Sequence, residues 1–132
     1  MNLVLMALLL LVSVADQQLK VSKAWIKAPA AGETTAAAFL VVENPTAYDV
    51  YLMSAASDAA ERVQFRKVVD KKAEVVEYVI APAYGSVEFT AEGVQLVLID
   101  LKSPLEPGDK VPLTLTTDGG FDIGVEAEVK KN

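Results

Sequence analysis

Residues 111–129, VPLTLTTDGGFDIGVEAEV, hold two stretches in which every second residue is apolar: Val111, Leu113 and Leu115, then, past an Asp-Gly-Gly break, Ile123, Val125, Ala127 and Val129. A period of two places those side chains on one face of an extended chain and leaves the other face to polar or small residues. Two strands are expected, each with one buried and one wet side. Glu126 and Glu128 fall on the wet side and read as solvated charge.

The same kind of signal recurs outward along the chain. LKVSKAWIKA (19–28) sets Val21 and Trp25 among alternating residues, and TTAAAFLVVENPTAYDVYLMSA (34–55) reads as two strands joined as a hairpin across Asn44, Pro45 and Thr46. SDAAERV (57–63) predicts one helical turn, capped by Ser57 or Asp58, that bridges two sheets. RVQFRKVV (62–69), AEVVEYVI (73–80), GSVEFTA (85–91) and VQLVLIDL (94–101) are short, rich in β-branched or aromatic residues, and punctuated by Gly, Pro or Asp. The expected fold is all-β: eight or nine strands in an antiparallel Greek-key β-sandwich or barrel.

The chain has 132 residues, 52% hydrophobic and 23% charged, the composition of one folded domain. Met1–Ala15, MNLVLMALLLLVSVA, carries no charge and closes on the small-x-small pattern Ser13-Val14-Ala15, so 1–15 reads as a signal peptide and 16–132 as the exported domain, periplasmic or extracellular. No Lys or Arg precedes its apolar run, which is atypical. The run is shorter than the roughly 18 residues of a membrane span, so no stable anchor is expected once the signal is cleaved. With no cysteine there is no acceptor for a lipid thioether and no disulfide.

A net charge of −6 argues against a nucleic-acid partner, which calls for a basic surface. Zero His and zero Cys exclude Ser-His-Asp and Cys-His nucleophiles and the usual zinc sites. Carboxylate pairs such as Glu74 and Glu77 remain, but nothing groups them with a cleft, and the chain is not expected to be an enzyme.

The order VSKAWIKAPAAGETTAAAFLVVEN, LMSAASDAAERVQF, VIAPAYGSVEF and GVQLVLIDLKSPLEPGDKVPLTLTT resembles the PCuAC family of periplasmic copper chaperones, from about Val21 to Val129. The resemblance implies a cupredoxin-like β-sandwich, copper delivery to respiratory oxidase, and a site of two histidines and two methionines, soft donors suited to Cu(I). Carried onto this chain, the resemblance puts Arg66 and Gln95 at the histidine positions, and Ala73 or a neighbour and Val97 at the methionine positions. None of the four is a Cu(I) ligand: arginine does not deprotonate, glutamine is a neutral amide, and alanine and valine have no donor atom. Beyond the signal only Met53 carries a thioether, and on the strand VYLMSA it reads as core filler.

The expectation is a chaperone-like fold with a degenerate metal site and no cofactor, or copper if the family's function persists through a non-standard site. The expected role is a metal-independent binding or accessory module of the cell envelope, with an envelope protein as partner. Arg66, Lys67, Lys71 and Lys72 are candidate contacts for an anion or an acidic partner, set against the plainer reading of a solvated hairpin whose lysines discourage edge pairing. Phe65, Tyr78 and Tyr84 read as core or rim residues.

Overall fold

A computed structural model describes residues 18–131. Ten strands run in chain order: β1 (Lys20–Lys27), β2 (Thr35–Asn44), β3 (Val50–Ala56), β4 (Ala60–Val69), β5 (Lys72–Val76), β6 (Val79–Ala81), β7 (Gly85–Glu88), β8 (Val94–Leu101), β9 (Lys110–Thr117) and β10 (Asp122–Lys130). Seven of them close a barrel in the order β4-β8-β2-β1-β10-β9-β3, with Ala55 of β3 pairing Val63 of β4 to complete the ring. All these pairings are antiparallel except β1 with β10, which run parallel. This is the cupredoxin-like all-β fold expected, in its barrel form.

The strand 111–115 and its partner 123–129 behave as the alternation requires. Val111, Leu113, Leu115, Ala127 and Val129 are buried, and they meet Ala36, Ala38, Leu40 and Val42 of β2 and Leu96 and Leu98 of β8 in one core cluster. Each valine or leucine among them contributes about 1.5–3 kcal/mol on leaving water and each alanine about 0.8 kcal/mol, so buried hydrocarbon holds the barrel closed. On β1 the parity changes: the pairing with β2 shifts between Ser22 and Trp25, where Lys23 takes φ 55°. The bulge turns Ile26 into the core and leaves Trp25 half-buried outside, stacked at 5.0 Å on Phe39.

Two local expectations are corrected. The segment 34–55 is not a hairpin, because β2 pairs β1, β7 and β8 whereas β3 pairs β4, β6 and β9. Asn44 makes the corner instead. Its buried Nδ2 donates to Tyr48 O (2.8 Å) and Ala81 O (2.9 Å), while its Oδ1 accepts from Thr46 N (3.0 Å) and Thr46 Oγ1 (2.7 Å). Those bonds fold the Asn-Pro-Thr stretch across the barrel rather than back along β2.

The helical turn at 57–63 is likewise absent. Ser57 Oγ accepts from Ala59 N (3.2 Å) and donates to Pro112 O (2.7 Å), fixing a tight turn, and the chain is extended again from Ala60. The β-branched and aromatic pairing of Val63 and Phe65 into β4 outweighs any helix propensity in so short a run. AEVVEYVI also divides: 72–76 stays beside β4 as β5, and 79–81 crosses to β3 as β6.

Candidate functional site

The four positions that resemblance marks as ligand positions lie on the outward side of the sheet formed by β5, β4 and β8. Arg66 pairs directly with Gln95, and Val97 pairs with Gln64, the neighbour of Arg66 on the same face. Phe65, Leu96 and Leu98 point inward to the core, so alternation sends Arg66, Gln95 and Val97 outward. Ala73 pairs with Val68 and shares that face, because Val75, two residues on, pairs with Arg66. Residues separated by up to 31 positions in sequence are thus brought to one patch (97 − 66 = 31).

The side chains there are engaged locally. Gln95 Nε2 donates to Ala91 O at 2.7 Å, tying the strand to the turn before it. One terminal nitrogen of Arg66 donates to Gln64 Oε1 at 3.3 Å, and its Nε is buried without a partner. Val97 is buried between Gln64 and Ala37 of the flanking strands, whereas Ala73 and Val75 are exposed. A fixed guanidinium charge therefore stands where a neutral imidazole would serve a copper ion. At about 4 Å, a like charge costs roughly 4 kcal/mol at an effective dielectric near 20, about a thousandfold in affinity.

Among the described residues no group of three or more His, Cys, Asp or Glu is placed to hold a metal ion. Met53 is corrected from core filler to a surface residue, 44% exposed, because its neighbour Leu52 faces the core and alternation turns Met53 outward. It lies on β3, which meets β4 at Ala55 and Val63, and it is not among the residues paired with the patch positions.

The basic residues do not converge. Alternation along β4 sends Arg66 and Lys67 to opposite faces, Lys71 occupies the two-residue turn Asp70–Lys71 with φ 51° and 66°, and Lys72 pairs with Val69. β5 is the end strand of the sheet path, so Lys72 sits on a free edge where a charge opposes strand addition. Lys67 instead lines a cleft of about 540 Å³ with Val76, Glu77, Tyr78, Val79, Ile80, Val87 and Val94, and neither Arg66 nor Gln95 borders it. Phe65 is core, as expected, but Tyr78 and Tyr84 are exposed.

The family profile described as "Putative lipoprotein LpqE-like" matches residues 19–129. The chain belongs to this LpqE-like family. A putative lipoprotein of Leifsonia xyli subsp. xyli is 34% identical over 116 residues, covering 84% of this chain and 69% of that protein. Among solved structures, the copper-bound PCuAC domain from PmoF2 superposes with a TM-score of 0.75 at 22% identity over 86% of this chain and 93% of its own. The Cu(I) form of DR1885 from Deinococcus radiodurans gives 0.74 at 25% identity, over 91% and 84%. The PCuAC-like fold read from the sequence is thus the observed one. The relatives' lipoprotein description meets a chain without cysteine, so within these 132 residues no thiol is available to carry a lipid.

Proposed function

We propose that this LpqE-like protein is an exported, chaperone-like barrel that no longer carries Cu(I) and serves the cell envelope as a metal-independent binding or accessory module. One observation carries the reading: the outward patch of β4, β5 and β8 presents Arg66, Ala73, Gln95 and Val97, a cation and three groups with no soft donor, at positions where the resemblance places imidazoles and thioethers. The family's lipoprotein description and the PCuAC fold support an envelope location. The leader at 1–15, which bears on export, lies outside the described residues. With copper read as cargo rather than cofactor, no reaction is assigned to the site.

The test is a competition titration of the 16–132 protein against Cu(I) held by a coloured chelator under reducing conditions, with Cu(II) in parallel. The expected result is that the chelator keeps its copper. Stoichiometric withdrawal would support the second reading, a carrier with a non-standard site, for which the exposed thioether of Met53 is the soft donor among the described residues.

A further inference from the structure

All four tyrosines of the chain, together with Phe121, come from three segments: 44–51, 77–84 and 117–122. Backbone bonds hold the three together, Tyr84 N donating to Thr46 O (3.0 Å) and Asp118 N to Tyr51 O (2.9 Å). They form one pole of the barrel, where β2 and β9 end and β3 and β10 begin. Tyr48, Tyr84 and Phe121 stand 78%, 76% and 72% exposed, and Tyr78, also exposed, lies against Tyr51 with ring centroids 5.2 Å apart. Tyrosine and phenylalanine bury large apolar areas when they can, so five of them drawn to one exposed pole mark an interaction surface.

The same segments contain Asp49, Glu77, Asp118 and Asp122 and no Lys or Arg. Three of these carboxylates accept only from neutral donors: Asp49 from Ala83 N, Asp118 from Tyr51 N, and Asp122 from Thr116 Oγ1. Lys67 shares the cleft with Glu77 but makes no ion pair with it; among the described residues the ion pair present is Lys110 with Glu128, on β9 and β10 away from this pole. Four carboxylates therefore stand among the tyrosines with no ion pair among the described residues, against two nearby lysines, Lys67 in the cleft and Lys20 opposite Glu43.

We propose that this pole docks an extended lysine- or arginine-bearing segment of a partner polypeptide. Ring faces attract cations, carboxylates form charge-assisted hydrogen bonds with guanidinium and ammonium groups, and the two together select a basic segment. An anionic lipid surface would meet like charge here. A second copy docking by a two-fold contact would set the same carboxylates against themselves.

The surface is separate from the Arg66 and Gln95 patch, so the copper titration and the test of this pole fail independently. Amide shifts of the 16–132 protein are followed by NMR while a short peptide of alternating arginine and glycine is added, with its glutamate counterpart as control. The arginine peptide is expected to shift the amides of Tyr48, Tyr84 and Phe121, to bind less tightly as salt rises, and to bind about tenfold more weakly to the Tyr48→Ser/Tyr84→Ser double variant. Both side chains are mostly in solvent, so the double variant keeps its fold, and Glu126→Gln, which removes one negative charge from mid-β10 outside the three segments, keeps full affinity. Equal binding by wild type and double variant, shifts confined to other surfaces, self-association through the pole in sedimentation, or preferential binding to phosphatidylcholine vesicles would each overturn the proposal.

Discussion

If the outward patch is a copper site emptied by substitution, restoring its donors restores copper binding. The variant Arg66→His/Ala73→Met/Gln95→His/Val97→Met tests this. Positions 66 and 95 are directly opposite across β4 and β8, so their Cβ atoms stand about 4.5–5.5 Å apart and two imidazoles can converge on one ion. Position 97 is two residues along β8, roughly 7 Å away and within the span of a thioether arm. Removing the guanidinium lifts a repulsion of about 4 kcal/mol. The costs are smaller: loss of the Gln95 bond to Ala91 O, about 1 kcal/mol, and overpacking at buried Val97, about 1–3 kcal/mol, whereas exposed Ala73 accepts methionine freely. Chelator competition is expected to show one Cu(I) per chain, and copper at about 100 times its Kd should add about 2.7 kcal/mol of stability, a Tm rise of roughly 8–15 °C. A variant with wild-type circular dichroism that leaves all copper with the chelator would refute the placement of the four positions.

Three further outcomes follow from the packing. Asn44→Ala strips the corner of its hydrogen bonds and leaves Ala81 O without that donor, so urea denaturation should show a loss of about 2–4 kcal/mol; a loss under about 0.5 would mean that the corner holds itself. Leu98→Ala opens a cavity in the core beside β2 and should lower stability by about 2–5 kcal/mol in the same assay, with no effect on the basic peptide. Gly120 has φ 81° in the β9–β10 turn with open space around a Cβ, so Gly120→Ala should cost about 1 kcal/mol from backbone conformation alone, and an unchanged midpoint would contradict that assignment.

Period-two runs were legible because burial on one face leaves a direct trace in composition; β9 and β10 were readable for that reason, and β8 as a short continuous apolar run, with Leu96–Ile99 all buried. The joints were not. Asn44 looks like a turn residue in sequence whether it closes a hairpin or carries the chain across a barrel, and the difference rests on its contact with Ala81, 37 residues away. The facing of β1 was hidden because the bulge between Ser22 and Trp25 leaves no mark in the hydrophobic pattern, and Met53 was misread because its residue type, rather than its place next to inward-facing Leu52, was taken as the guide. The basic cluster was compact in sequence, but strand alternation separates Arg66 from Lys67. The tyrosine pole was invisible for the complementary reason: its residues are distant in sequence and meet only through the loops at one end of the barrel.

On the proposed reading, the location of the patch explains how ligands could be exchanged there without loss of the fold. In a small protein whose metal site organises the core, removing ligands removes folding free energy. Here the positions face outward, and the layer beneath them, Phe65, Leu96 and Leu98, is closed by hydrocarbon alone. Substitution at positions 66, 73 and 95 therefore draws on local hydrogen bonds of about 1 kcal/mol each, and only buried Val97 adds a packing cost. The barrel is free to keep its topology while its outer faces are rewritten, and the places to look for present function are the surfaces where charge and exposed aromatic area have gathered instead.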